Sequence, residues 1–328
     1  MKKNILNVEE LSYTETNYDN YQEMADYATG WSHLCYYQLT PASFNGSYKI
    51  LELPTMQLAF TDNIGGLMYN FDAPKNRVCI SIMQSIEGKA CFNHMKLQTG
   101  DIVFFDDSKR YNFMSSSRTK LLDISIKKSS TSILYHRISN ALNRYISDTE
   151  QRLQNLITGI LEEYSDMENL SHETALILEQ NIINTILNLL EEQQPTQRLL
   201  TKGEQTVAAI RDQVIHHMDV IVSVESLAAE YDVTTKTLQN GCKSLFGFTP
   251  IRFLRLLKLN LVRNDLIEGS PQTHTVLRVA QKWGFTHMGR FSSYYKELFL
   301  ENPSDTLKSV LNDEGINENC VIRQEEID

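Results

Sequence analysis

Residues 223–250 read SVESLAAEYDVTTKTLQNGCKSLFGFTP, and residues 275–303 read TVLRVAQKWGFTHMGRFSSYYKELFLENP. The two stretches are one pattern used twice. In the first, Leu227-Ala228 is followed by Val233, Leu238, Lys243, Leu245-Phe246 and Pro250; in the second, Val279-Ala280 is followed by Phe285, Phe291, Lys296, Leu298-Phe299 and Pro303. The offset is 52 residues before the turn and 53 after it, so one residue has been inserted near Thr286-His287-Met288-Gly289. Each copy reads as a short helix, a tight turn and a second helix with its apolar residues on one side, which is a helix-turn-helix. Two such units, about 224–246 and 276–299, imply an all-α domain that presents two helices to DNA.

The helical period sorts the side chains of each second helix. In the first unit it turns Leu238, Cys242, Leu245 and Phe246 inward and leaves Thr235, Lys236, Gln239, Asn240 and Lys243 outward. Gln and Asn offer paired hydrogen bonds to adenine in the major groove of double-stranded DNA, while Lys and Thr suit phosphates or guanine edges. In the second unit Phe291, Tyr295, Leu298 and Phe299 turn inward, and His287, Arg290, Ser292, Ser293 and Lys296 turn outward. The two serines reach less far, so base reading is expected mainly from the first unit, with the second a phosphate clamp. Between the units, Ile251 to Ile267 suits one helix of roughly 25 Å at 1.5 Å per residue. Such a strut could hold two recognition helices about one DNA turn, roughly 34 Å, apart.

A net charge of −10 over 328 residues looks wrong for DNA binding until its distribution is read. Residues 203–311 carry 12 Lys+Arg against 11 Asp+Glu, whereas residues 1–202 carry 18 against 24. The segment 312–328 is acidic and is expected to be a disordered tail. Lys236, Lys243, Arg252, Arg255, Lys258, Arg263, Arg290 and Lys296 are expected to gather on one face of the repeat domain. No stretch approaches the roughly 18 apolar residues of a membrane helix, and no apolar signal core follows Met1-Lys2-Lys3, so a cytoplasmic protein is expected. Cys35, Cys79, Cys91, Cys242 and Cys320 form no Cys-x-x-Cys pair and read as reduced, packed thiols.

The N-terminal half has a different texture. From about Ser32 to Lys128, short β-prone runs such as 35–39, 48–53, 57–60, 78–82 and 120–126 are separated by Asn-Gly, Gly-Gly or Pro-containing turns. Closely spaced short strands indicate a sandwich or small barrel. The run Leu97 to Phe105, entered through Gly100-Asp101, loosely resembles a cupin-like barrel. After Ser129 the pattern is helical to about Gln194, with Leu176, Ile183 and Leu190 seven apart and Ile182, Ile186 and Leu187 widening the stripe. That helix packs either on its own barrel or across a homodimer. The break at Gln193-Gln194-Pro195 divides the chain into a 1–194 domain that carries the strands and the candidate dimerisation helix, a 195–202 linker and a 203–311 DNA-binding domain. The fold class expected is therefore α+β multidomain, a β-barrel with trailing helices followed by the helical domain.

The last hundred or so residues resemble the DNA-binding domain of the AraC/XylS transcription regulators. The resemblance rests on Leu227-Ala228, Val233, Leu238-Gln239, Leu245-Phe246-Gly247, Thr249-Pro250, Phe253-Leu254-Arg255 and Arg263. It continues through Val279-Ala280, Gly284-Phe285, Phe291, Tyr295-Lys296, Phe299 and Pro303. Ser293, Leu300 and Val262 stand where the family often has Arg, Gly and Ala. The resemblance implies a cupin-like sensor ahead of the DNA domain, an unknown small-molecule effector, RNA polymerase as a partner and activation as the commoner outcome. Trp31, Tyr36, Phe71, Phe92 and Phe104 are candidates to line the effector pocket.

Other readings demand residues that the chain arranges badly. A metal-dependent cupin enzyme needs converging His and carboxylate ligands, and the barrel region offers His33 and His94, separated and unpaired. A DNA-alkylation repair protein needs clustered cysteines or an activated thiol, and none of the five has that setting. No catalytic residue, metal or cofactor is therefore expected. An effector-independent DNA-binding adaptor remains as the alternative to a sensor.

Overall fold

The computed structural model describes residues 11–19, 23–24, 32–41, 45–93, 95–130, 132–167, 170–198, 200–216, 223–268 and 275–312. The tail beyond 312, Trp31, His94 and Cys320 lie outside them, as do the side chains of His33, Cys35 and Tyr36.

Two antiparallel sheets form the N-terminal half. The larger is ordered β1 (Ser12–Tyr18), β3 (Asn45–Glu52), β4 (Met56–Ile64), β11 (Thr119–Lys127), β6 (Arg77–Ile86), β9 (Asp101–Asp106) and β12 (Tyr145–Ser147). The smaller is ordered β2 (Ser32–Gln38), β5 (Leu67–Asp72), β10 (Arg110–Ser115), β7 (Ala90–Phe92) and β8 (Met95–Leu97). The two sheets face each other without joining into a closed ring among the described strands, so the cupin-like architecture holds while the closed barrel does not. The pair Asn45-Gly46 is not a turn but part of β3, where a Cβ on Gly46 would lie 2.0 Å from the Asp62 carbonyl oxygen.

Both faces of each sheet are covered. Alternate residues of the larger sheet, among them Leu58, Ile80, Ile82, Phe104, Leu122 and Ile124, pack under helices α1 (Ser132–Ser139), α2 (Arg152–Glu163) and α3 (His172–Glu192). The residues between them, such as Cys79, Met83, Val103, Phe105 and Leu121, point to the space between the sheets. The smaller sheet sends Tyr69, Phe71, Phe92 and Phe113 into that space and Met68, Cys91 and Met114 the other way.

The helix α3 is tied to its own sheet. Ala175, Glu179, Ile182, Ile186, Leu189 and Leu190 are buried, with Ile183 and Leu187 packed against the same core, so the expected stripe holds except at Leu176, which is exposed together with Ile177. Glu179 sets that register: its carboxylate accepts from the Thr55 amide (2.6 Å), the Thr55 hydroxyl (2.7 Å) and the Met56 amide (3.1 Å).

The C-terminal helices are α4 (Lys202–His216), α5 (Val224–Glu230), α6 (Thr235–Phe246), α7 (Pro250–Glu268), α8 (Val276–Lys282), α9 (Met288–Phe299) and α10 (Pro303–Asn312). Their core continues into Tyr37, Leu39, Met68, Cys91 and Met114 of the N-terminal half, so the outer face of the smaller sheet is the seat of the helical domain. The segment expected to be a linker is pinned as well. Thr196 exchanges two 2.9 Å backbone hydrogen bonds with Tyr145, and Arg198 pairs with Asp101 while lying over the Tyr145 ring.

Candidate nucleic-acid interface

The two units close in the same way, bond for bond. The Val233 amide donates to the Ala228 carbonyl at 2.9 Å, and the Phe285 amide to the Ala280 carbonyl at 3.0 Å. Asp232 and Gly284 supply the left-handed residue that each turn needs. The first helix of the first unit starts with a capping box between Ser223 and Ser226, and that of the second with a Thr275 cap. The strut α7 carries Phe253 against Phe246 with ring centroids 4.3 Å apart, while Phe285, Phe291, Tyr295 and Phe299 form a chain of ring contacts under the second unit. On α6, Gly241 permits a close crossing with α4, because a Cβ there would meet the Gly203 carbonyl oxygen at 2.5 Å.

This packing leaves Thr235, Lys236, Gln239, Asn240 and Lys243 exposed on α6, and His287, Arg290, Ser292, Ser293 and Lys296 exposed at α9 and its N-cap. The two faces differ in detail. Thr234 caps α6 by accepting from the Thr237 amide at 3.0 Å, whereas His287 at the head of α9 makes no side-chain cap. Ser293 turns its hydroxyl back to the Gly289 carbonyl at 3.0 Å, which shortens its reach further. The first unit ends on Gly247 at φ 75° and the second on Leu300 at φ 60°. A leucine in this left-handed region costs about 1–2 kcal/mol, so the second unit carries strain that the first does not.

Of the eight basic residues, three are engaged by the domain's own side chains and a fourth is half-buried. Arg255 lies 4.0 Å over the Tyr294 ring, Arg252 4.9 Å over Phe248, and Arg263 bonds Glu301 at 3.1 Å beside Phe299. Lys258 is half-buried, and loss of water pulls its pKa down. These four serve the domain's own packing; Lys236, Lys243, Arg290 and Lys296 stay on the recognition surfaces.

Between the sheets lies a cavity with about 620 Å3 of atom-free space, its open mouth included. Phe71 and Phe92 line it. Phe104 does not: it sits on the opposite face of β9 under the helices, and its neighbour Phe105 lines the cavity instead. A strand buried on both faces reads as an unbroken apolar run, so sequence could not tell which of the two phenylalanines points inward. Trp31 and the Tyr36 side chain lie outside the described residues. Sequence reasoning passed over Tyr48, Tyr69, Ser81 and Asp123, which also line the cavity. A lone acid in the apolar run Leu121-Leu122-Asp123-Ile124 was the available signal.

The contacts that seat the helical domain were missed too. Asn260 of α7 accepts from the Gln38 amide (2.7 Å) and donates to the Gln38 carbonyl (2.9 Å), so it clasps the edge strand β2 as another strand would. The Gln38 side chain donates to the Leu298 carbonyl at 2.7 Å. On the far side of the sheet, Glu204 of α4 joins Lys96 of β8 to Ser244 of α6. Burial works against the charge of Glu204, but hydrogen bonds from Lys96, Ser244 and Thr201 outweigh it and hold the carboxyl at about 2. Cys79, Cys91 and Cys242 are buried, which pushes their thiols up to about 12 and leaves them protonated and unreactive.

Residues 227–309 match a family described as a helix-turn-helix domain. The chain is 35% identical over 94 residues to the probable thc operon regulatory protein of Rhodococcus erythropolis, covering 29% of this chain and 28% of that one. It is 28% identical over 113 residues to the XylDLEGF operon transcriptional activator of Pseudomonas putida, covering 34% and 35%. The match thus spans about a third of these relatives' length. Among solved structures, the AraC-like transcriptional activator CuxR aligns with 83% of this chain and 100% of its own at 12% identity and a TM-score of 0.45.

Proposed function

This chain belongs, through its C-terminal domain, to the AraC/XylS family of transcription regulators, and from that premise we propose that the whole protein is an effector-responsive regulator of promoter DNA rather than an enzyme. The single observation that carries this reading is the pair of identically closed turns, each presenting an exposed polar helix face from one rigid strut. The regulator works in the cytoplasm, contacts RNA polymerase at its promoter, and activates, as the names of its relatives suggest. Effector binding between the sheets shifts the population of seated and released DNA-binding domains, which changes how the two recognition helices meet their sites.

Base reading is assigned to α6, where Gln239 and Asn240 extend from a capped helix, and phosphate contact to Arg290 and Lys296 on α9. Gln239→Ala is expected to weaken binding to the promoter next to its own gene by about 1–3 kcal/mol and to relax specificity at one position. Arg290→Ala should lower affinity across all sequences and reduce the salt slope by about 1. Equal affinity of Gln239→Ala and the parent at matched salt would take Gln239 off the contact surface.

The homodimer is assigned to the outer side of α3, where Leu176 and Ile177 are 45% and 56% exposed although they lie on a helix already anchored by Glu179. Ile177→Glu is expected to shift sedimentation from dimer to monomer with the melting temperature unchanged. A dimer that survives this substitution sends the seam elsewhere.

A further inference from the structure

The cavity between the sheets has an unusual charge balance. Its described lining contains no Lys, Arg or His, yet it holds one carboxylate, Asp123, with aromatic rings around it. Asp123 faces Ser81 across the β6–β11 ladder and accepts its hydroxyl. It lies in the heart of the two-sheet domain, yet keeps accessible surface, because that surface opens into the cavity rather than to bulk water. Burial pushes the carboxyl up to about 6, with the Ser81 hydrogen bond working the other way. The hydroxyls of Tyr48 and Tyr69 stay protonated, held up by burial and then by the charge on Asp123.

A carboxylate with a single hydroxyl donor is a poor structural element, since one hydrogen bond does not replace its hydration. It is well suited to a ligand that brings the missing charge. An anionic ligand would meet Asp123 with no cation among the described lining residues to offset the repulsion, and a neutral one would leave the charge uncompensated. An ammonium group satisfies the carboxylate, and aromatic faces attract cations. Resting on the reading of this domain as an effector sensor, we propose that the effector is a small organic amine. Its ammonium donates to Asp123, and its apolar body lies against Phe71, Phe92, Phe105 and Phe113.

The test uses the full-length protein at pH 7.5 with three probes of one shape: 2-phenylethylamine, 2-phenylethanol and phenylacetate. The amine is expected to raise the melting temperature in a saturable way and to bind by calorimetry, with the alcohol at least tenfold weaker and the carboxylate inert. Asp123→Asn keeps an acceptor for Ser81 and removes a buried charge, so it should melt higher than the parent without ligand and lose the response to the amine. Retained amine binding in Asp123→Asn, or stabilisation by phenylacetate equal to that by the amine, overturns the assignment of an amine while leaving a sensor in place. Stabilisation by none of the three overturns both the amine and the sensor, and promoter binding by the unliganded protein tests the DNA-binding half separately.

Discussion

Asn260→Leu is expected to weaken the seating of the DNA-binding domain on the N-terminal sheets by about 2–4 kcal/mol, because it removes two hydrogen bonds to the Gln38 backbone at once. Asn260 is 1% exposed and lies on a helix whose neighbours Leu256, Leu257, Leu259 and Leu261 are buried. A leucine there fits the volume and the apolar surroundings, so α7 and the recognition helices should keep their fold. What changes is the edge of β2, where the Gln38 amide and carbonyl lose the two hydrogen bonds that Asn260 supplies. Hydrogen exchange reports this directly: the Gln38 amide should lose protection while those of α7 keep theirs, and thermal unfolding should split into two transitions. One transition at the parent midpoint, with Gln38 still protected, would mean that the clasp contributes nothing.

The second large effect comes from the other side of the same seat. Lys96→Met keeps the aliphatic stem and removes the ammonium, leaving Glu204, 3% exposed at its side chain, with Ser244 and Thr201 as hydrogen-bond donors. Breaking a buried ion pair costs about 3–5 kcal/mol. Lys96 is 36% exposed, so screening by solvent brings the expectation to about 2–4 kcal/mol at neutral pH. The same pair predicts an acid response. Glu204 is held at about 2 in the folded chain, below its ordinary value of about 4.3. Its contribution is therefore complete above about pH 4.5 and is lost as the pH falls toward 2. In Lys96→Met the carboxyl is depressed less, so the stability lost below pH 4.5 is smaller and the melting temperature falls less steeply with acid. Parallel profiles for the two proteins between pH 5 and 2.5 would remove Lys96 from the explanation.

The legibility of the sequence followed the physics of burial. The helical half could be read because its helices bury one side only, and a period of 3.6 then separates Leu238, Cys242 and Leu245 from Lys236, Gln239 and Asn240. The sheets hide their register, since Ile102-Val103-Phe104-Phe105 is apolar at every position when both faces are covered. That is why Phe104 looked like a pocket residue and Phe105 did not. On α3 the apolar stripe passes over Glu179 for a related reason: this residue, which ties the helix to the sheet, is polar and drops out of any apolar count. Asn260, Glu204 and Asp123 share this property. Each is a polar residue that bonds a partner far away along the chain, as with Gln38, 222 residues from Asn260. Local pattern can flag such a residue but cannot name what it bonds.

The smaller sheet has the last word on how a signal could travel. Phe92 looks into the cavity and Cys91 looks out at Leu245 of the first recognition helix; Phe113 and Met114, and Tyr69 and Met68, repeat the arrangement on adjoining strands. The partition between the cavity and the DNA-binding helices is a single peptide layer, and each pair of consecutive residues touches both compartments. No relay of distant side chains is required, because any ligand that presses on the inner wall displaces the outer one by the stiffness of the strand itself. The wall of the cavity and the seat of the DNA-binding domain are therefore two faces of the same sheet.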